Sequence, residues 1–329
     1  MEALSPTINL DKFFARYLCG GEALKSFRMV SRTQLALVKC EIGYFEPRAV
    51  NLAFQIDRFM NGVNLLLDKG IEKSSICRIN SLLRNVELND SYRDKDVWIG
   101  RTKKKAKHIP PSYKELDSLM SKWLVQANQE NLSAKQIFGI YAQYLLIHPF
   151  PDGNGRTGRV IINNLLKRNK VSCLPPDLYR LSRAETNSFV EQIQSNQTKS
   201  QITTFIDGWF LWESSIRSQL DELTIKTIKL IESKLVMSRP NELQIKVISL
   251  LWDQPLISNA YVKKKLNTND NDTNNALSFL IRVKILEEKK VKYNPNISIY
   301  QAPIILEFLH DLDDLIFLTK GNEHELQKN

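Results

Sequence analysis

The strongest constraint on what this chain can fold into is one short run, His148-Pro149-Phe150-Pro151-Asp152-Gly153-Asn154-Gly155-Arg156-Thr157-Gly158-Arg159. The two prolines near its start stop any helix that enters it. Upstream, Ser133 and Gln136 form a capping-box pattern, and Ile137, Phe138, Tyr141, Tyr144 and Leu145 recur at helical spacing. Downstream, Val160, Ile161, Leu165 and Leu166 restart a helical stripe that runs towards Asn169. The run is therefore a loop between two helices, with its glycines at the N-terminus of the second. Such a terminus offers unpaired N–H groups and the positive end of the helix dipole, which suits an anion.

The residue types point to the same chemistry. Histidine, with an ordinary pKa of about 6.5, can take a proton near neutral pH. Asp152 supplies a hard oxygen suited to Mg²⁺, an ion usually held by one or two carboxylates plus substrate phosphates. Gly153 and Gly155 let the backbone turn sharply and bring N–H groups close to an anion. Arg156 and Arg159, three apart, fall on one helix face and can grip one polyphosphate. Each residue alone has a blander explanation: a helix-end histidine, a turn, a solvated pair of arginines. Together, at these spacings, they favour transfer of a phosphate-linked group.

At these residues the chain resembles the Fic family, whose signature His-x-Phe-x-Asp/Glu-Gly-Asn-Gly-Arg-x-x-Arg is filled by His148, Phe150, Asp152, Gly153, Asn154, Gly155, Arg156 and Arg159. Val97-Trp98-Ile99-Gly100 followed by His108-Ile109-Pro110-Pro111 looks like the family's flap hairpin. The helix-patterned stretches Ile79 to Leu83 and Leu116 to Val125 sit where that family carries supporting helices. The resemblance covers roughly residues 30 to 230. It implies transfer of AMP from ATP to a Ser, Thr or Tyr hydroxyl of a target protein, or of the chain itself, with release of pyrophosphate. His148 would be the general base, and Asp152 would hold Mg²⁺ on the α- and β-phosphates. Gly153, Asn154 and Gly155 would form the anion hole, Arg156 and Arg159 would orient the β- and γ-phosphates, and Phe150 would face the core. Ile99 and Ile109, on the flap, would dock the target segment by main-chain pairing.

Between the flap strands lies a basic tip, Arg101-Thr102-Lys103-Lys104-Lys105-Ala106-Lys107. It suits an acidic target or a nucleotide, or is simply a solvated turn. Many Fic proteins also carry an inhibitory helix reading approximately Ser-Ser-x-Ile-Glu-Gly. The corresponding stretch here is Lys39-Cys40-Glu41-Ile42-Gly43-Tyr44, which puts Gly43 where the inhibitory glutamate stands. Weak or missing inhibition in cis is therefore expected, unless Glu41 or Glu46 acts from a shifted register.

Composition sets the outer bounds. The 329 residues suffice for two or three units, and 43% hydrophobic with 25% charged residues is ordinary for a globular protein. No apolar run approaches the ~18 residues of a membrane span, and the N-terminus lacks the pattern of a secretion signal. Cys19, Cys40, Cys77 and Cys173 have neither metal nor disulfide spacing. These features lead to the expectation of a cytoplasmic protein that does not engage membranes. A net charge of +10 favours acidic partners without naming one.

After Met237, the break Ser238-Arg239-Pro240-Asn241 precedes helical patterns over Leu243 to Trp252, after Ser258, and over Thr273 to Val283. A hairpin follows, from Ile285-Leu286-Glu287-Glu288 through a turn at Asn294-Pro295-Asn296 to Ile297–Ala302. This order resembles a winged helix. Lys263, Lys264, Lys265, Lys289, Lys290 and Lys292 are candidates for phosphate contacts. Asp270 and Asp272 at the start of the third helix, and an acidic tail with Asp311, Asp313 and Asp314, argue instead for docking or homodimerisation over DNA binding.

The expected architecture is mainly α. Residues 1–68 form an N-terminal helical segment with a degenerate inhibitory helix, 69–236 a Fic-type helical domain with a small β-hairpin flap, and 237–329 a winged-helix α+β module. The alternatives are Fic-type transfer of UMP, phosphate or phosphocholine, and a nucleotide-sensing DNA-binding regulator. A sensor needs neither the base His148 nor the acid Asp152, which favours the enzyme.

Overall fold

The computed structural model describes residues 38, 47–171, 174, 199–291 and 294–317. The Lys39–Tyr44 stretch and Glu46, on which the expectation about inhibition rests, lie outside the described residues. The described chain is mainly helical, with one small antiparallel sheet. It divides into two compact units, 55–215 in one, 47–54 and 216–317 in the other.

The first unit is built from most of α1 (Pro47–Lys69), α2 (Lys73–Arg84), α3 (Leu116–Ala127), α4 (Ala134–Ile147), α5 (Asn154–Arg168) and the first half of α6 (Lys199–Leu235). The expected capping box opens α4: Ser133 N–H donates to Gln136 Oε1 at 2.9 Å, and Gln136 N–H donates to Ser133 Oγ at 3.4 Å. Helix α2 closes on Asn85, whose φ of 57° is a left-handed C-cap. Helices α4 and α5 form the centre. Tyr141, Tyr144, Leu145, Val160, Ile161 and Leu165 are fully buried between neighbouring elements. Each such aliphatic side chain contributes about 1.5–3 kcal/mol by leaving water.

Gly158 allows the close approach of these two helices. A Cβ there would stand 2.9 Å from Tyr141 Cε2 and 3.0 Å from Leu145 Cδ2. Two buried tryptophans satisfy their indole N–H groups on carbonyls, Trp123 on Ile140 at 2.8 Å and Trp209 on Leu174 at 3.1 Å. The centre of the unit is thus rigid on both sides of the loop that joins α4 to α5.

The second unit contains α7 (Glu242–Asp253), β1 (Leu256–Ile257), α8 (Asn259–Leu266), α9 (Asp270–Arg282), β2 (Glu287–Val291), β3 (Asn294–Gln301) and α10 (Pro303–Phe317). The sheet order is β1-β3-β2, antiparallel throughout. Side-chain caps start three helices: Asn241 accepts from Gln244 N–H (2.9 Å), Ser258 from Tyr261 N–H (3.1 Å) and Asn269 from Asp272 N–H (2.9 Å). The Asn269 cap begins α9 at Asp270, three residues before the periodic pattern in the sequence.

Two readings of this unit change. Asn294-Pro295-Asn296 is strand, with Asn294 paired to Val291 across a register shift. Proline is tolerated there because β1 pairs only with Tyr300 and Gln301, leaving that edge of β3 without a ladder to break. The acidic tail is an amphipathic helix, α10, with Ile305, Phe308, Leu309, Leu312 and Ile316 buried at helical spacing. Arg282 is exposed in the last turn of α9. Among the described residues no helix is long and apolar enough to cross a membrane.

Candidate functional site

Helix α4 ends at His148, which takes the left-handed conformation, φ 53° and ψ 61°. This is uncommon for a residue with a Cβ, and a buried arginine holds it. Arg93 donates from Nε to the His148 carbonyl (3.0 Å), from Nη1 to the Lys95 carbonyl (2.9 Å) and from Nη2 to the Pro111 carbonyl. Its own N–H donates to the Pro149 carbonyl at 2.9 Å. One guanidinium thus joins the histidine, the start of the flap and its end. Burial lowers the pKa of Arg93, yet a set of carbonyl acceptors compensates a buried guanidinium well.

The His148 ring is itself partly buried, and burial is the main reason its pKa falls to about 4. The Leu145 carbonyl, accepting from the ring, opposes that fall, His108 and Arg93 deepen it, and Asp152 opposes it. At neutral pH the imidazole is neutral. With one ring nitrogen donating to Leu145, the lone pair resides on the other.

Phe150 is buried, its ring edge-to-face with Tyr92 at 5.8 Å. Asn154 closes the loop over it. Its Nδ2 donates to the Phe150 carbonyl at 2.7 Å, and its Oδ1 accepts from the Phe150 N–H at 3.0 Å. The expectation that Asn154 lines an anion hole is thereby narrowed to its main chain. Both side-chain ends are committed to the loop, which leaves the main-chain N–H of the first turn of α5 as what Asn154 can offer an anion.

Gly153 is the N-cap of α5 at φ 83°. A Cβ on it would stand 2.8 Å from Asn80 Nδ2 and 3.0 Å from Arg84 Cδ. Asn80 donates to the Asp152 carbonyl (3.0 Å) and to Thr157 Oγ1 (3.2 Å), which fixes the loop on α2. The N–H groups of Asn154, Gly155 and Arg156 open the helix with no intrahelical acceptor.

Asp152 is 66% exposed at its side chain, so its carboxylate faces solvent while staying tethered. Oδ1 accepts the Gly153 N–H at 2.6 Å. Oδ2 sits between two guanidiniums, Arg156 Nη2 at 3.3 Å and Arg84 Nε at 3.5 Å. Arg156 also donates to the Leu83 carbonyl at 3.0 Å. Burial lowers its pKa, Asp152 opposes this, and the charges of Arg159 and Arg84 add to the fall. Arg159 is buried on the same helix, so the two arginines of the motif do share one electrostatic neighbourhood. Among the described residues no three acidic, histidine or cysteine side chains converge as a metal cage. A single hard carboxylate fits an ion that arrives with substrate phosphates rather than a resident one.

The flap is a short hairpin. Ile99 and His108 form its β-bridge, with Ile99 N–H donating to the His108 carbonyl (2.9 Å) and Lys107 N–H donating to the Ile99 carbonyl (2.7 Å). Its base is pinned where His108 Nε2 contacts the Leu146 carbonyl at 2.9 Å, two residues before His148. Of the expected flap pair, Ile109 is 55% exposed and Ile99 only partly so.

Sequence reasoning missed Arg93, Asn80 and Arg84. Asn80 and Arg84 sit on a helix that was legible, but only the packing of α2 against α5 brings them to the loop. Arg93 carried no signal, since its role depends on carbonyls from three separated segments.

Residues 70–166, which hold this whole constellation, match the Fic/DOC family. The chain carries a Fic domain. It is 42% identical over 82 residues to a protein adenylyltransferase Fic of Culex quinquefasciatus, a match covering 23% of this chain and 15% of that protein. A protein of the same description from Nematostella vectensis is 34% identical over 94 residues, 27% of this chain and 20% of that one. The chain thus spans about a sixth of the length of such curated relatives. Among solved structures, a Fic domain containing signaling protein from Bacteroides thetaiotaomicron is 18% identical with a TM-score of 0.45, covering 67% of this chain and 88% of that one. The matched segment runs from the residue before Ile71 to Leu166, so the Fic domain includes α2 to α5, the loop and the flap.

Proposed function

We propose that this chain is a protein AMP-transferase that moves AMP from ATP to a Ser, Thr or Tyr hydroxyl of a target protein or of itself. One observation carries the reading. A neutral imidazole stands at the end of α4, and the open N-terminus of α5 with a carboxylate between two guanidiniums stands a few residues on. A sensor of nucleotide would need the anion site but not the base.

The target hydroxyl oxygen attacks the α-phosphorus, its proton passes to the lone pair of His148, and the bond from the α-phosphorus to the bridging oxygen breaks to release pyrophosphate. The N–H groups of Asn154, Gly155 and Arg156 face the charge that grows on the α-phosphoryl oxygens. The Asn154 side chain contributes by shaping the loop. Arg156 and Arg159 orient the β- and γ-phosphates, and Arg84, on the far side of Asp152, joins them. Asp152 offers its exposed carboxylate to Mg²⁺, which when bound would draw charge from the α- and β-phosphates. Arg84 and Arg156, which now flank Asp152, are the guanidiniums nearest to where the phosphates would sit.

The second unit supports a docking module better than a DNA reader. Of the lysines suited to phosphate contacts, Lys263 pairs with Asp270 (2.7 Å), Lys289 with Glu287 (3.2 Å) and Lys290 with Glu288 (3.7 Å). Lysines already neutralised within the unit release few counterions from a duplex.

Incubation with ATP labelled on the α-phosphate tests the reading. Wild type should acquire label in itself or in a target, and His148→Ala should lose about 10²–10⁴-fold in rate. Equal labelling of both proteins would refute the assignment of the base.

A further inference from the structure

The flap tip carries charge that the phosphate site does not use. Arg101, Lys103, Lys104, Lys105 and Lys107 are all exposed. None of them comes within ion-pair distance of a described carboxylate. Asp96 feels Lys103, but its Oδ1 is held by the Tyr113 N–H at 2.9 Å and the Ser112 hydroxyl at 3.1 Å. These cations are also presented in a fixed arrangement. Lys103–Lys105 form a 3₁₀ turn, with Lys105 N–H donating to the Thr102 carbonyl (3.0 Å) and Ala106 N–H to the Lys103 carbonyl (3.3 Å). The turn packs on Gly100, where a Cβ would meet the Lys105 carbonyl oxygen at 3.0 Å. A tip meant only to stay soluble has no need of such closure.

The strands behind the tip are open at their edges. Among the described residues the main-chain groups of Trp98 and Ile109, which flank the bridge on its two strands, take no backbone partner. Their side chains are exposed as well, at 45% and 55%. Apolar side chains on an open edge, ending in a cluster of unpaired cations, match an extended peptide with an apolar residue and neighbouring acids. The base of that edge is tied to Leu146 by His108 and to His148 by Arg93. A strand laid along either edge would lie between the neighbourhood of His148 and the lysines.

We infer that the flap selects an acidic protein segment: the acceptor hydroxyl lies near His148, an apolar residue rests on Trp98 or Ile109, and Asp or Glu side chains meet Lys103, Lys104 and Lys105. This rests on the transfer reading above for the identity of the bound segment as substrate. Protein is favoured over nucleic acid because open N–H and C=O groups have no counterpart in a sugar-phosphate backbone. Single-stranded nucleic acid is gripped by successive aromatic platforms, and residues 97–109 contain one tryptophan and no Phe or Tyr.

The test is fluorescence anisotropy with the full chain and no ATP, using labelled peptides that share one serine-containing apolar centre and are flanked by four Glu, four Gln or four Lys. Wild type should bind the Glu peptide roughly tenfold more tightly than the Gln peptide at low salt, as expected for two or three exposed ion pairs, and the gap should shrink at high salt. The triple variant Lys103→Glu, Lys104→Glu, Lys105→Glu, all at exposed positions, should prefer the Lys peptide. Equal binding of the Glu and Gln peptides, no binding of any peptide, or equal capture of an oligonucleotide of matched charge each overturns the inference. Peptide selection without any AMP transfer would remove the chemical reading and leave this surface standing. AMP transfer with equal kcat/KM on the Glu and Gln peptides would do the reverse.

Discussion

Lowering the pH should destabilise the native state through His148 in a way that one substitution can isolate. Burial holds this ring at a pKa of about 4, against about 6.5 when it is exposed in the unfolded chain. Above pH 6.5 both states carry a neutral ring and His148 adds no pH dependence. As the pH falls from 6.5 towards 4, the unfolded chain takes up the proton and the native chain resists it. Stability is therefore lost as the pH drops through this window, by about 1.4 kcal/mol per unit and about 3 kcal/mol in all.

His148→Asn is the right comparison, because asparagine tolerates the left-handed backbone at φ 53° while removing the titration. Groups away from this loop titrate alike in the two proteins, so the difference between their stability curves reports mainly His148. Urea unfolding followed by tryptophan fluorescence reads mainly the correct unit, since Trp98, Trp123, Trp209 and Trp212 lie in it and Trp252 in the other. The wild type should lose about 3 kcal/mol relative to His148→Asn between pH 7 and pH 4. A difference that stays flat within about 1 kcal/mol would show that the ring is solvated in the native state. The lowered pKa would then have no basis.

Three further substitutions test the frame around the loop. Gly153→Ala should cost about 2–4 kcal/mol and abolish AMP transfer. Its Cβ both strains a backbone at φ 83° and displaces the Asn80 amide from Asp152 and Thr157. Gly139→Ala, in α4 with open space around it, should instead stabilise by about 0.5–1 kcal/mol, and equal effects at both sites would contradict the packing described. Arg93→Lys should cost about 2–4 kcal/mol, because one ammonium cannot serve the His148, Lys95 and Pro111 carbonyls together. It should also slow transfer by releasing the histidine's backbone, and unchanged stability by urea titration would refute the clamp.

The sequence alone determined the helix–loop–helix around His148, the flap, and the residues that hold one local geometry. This was legible because the informative interactions are short-range. The capping box spans three residues, prolines and glycines act on their own backbone, and helical spacing reports burial directly. For the same reason the hairpin turn was misplaced, since Asn294-Pro295-Asn296 reads as a turn until the pairing of β1 with only the far end of β3 makes a proline harmless. The C-terminal stretch was read only for its acids, Asp311, Asp313 and Asp314, and the buried stripe of Ile305, Phe308, Leu312 and Ile316 went unused.

What only the tertiary structure decided is how the loop's groups are charged and held. Burial makes the imidazole neutral, the approach of α2 sets Arg84 against Asp152 and Asn80 against Gly153, and Arg93 ties together carbonyls from three distant segments. A pattern of residue types carries no record of such contacts. Desolvation and long-range hydrogen bonds exist only after the helices have packed.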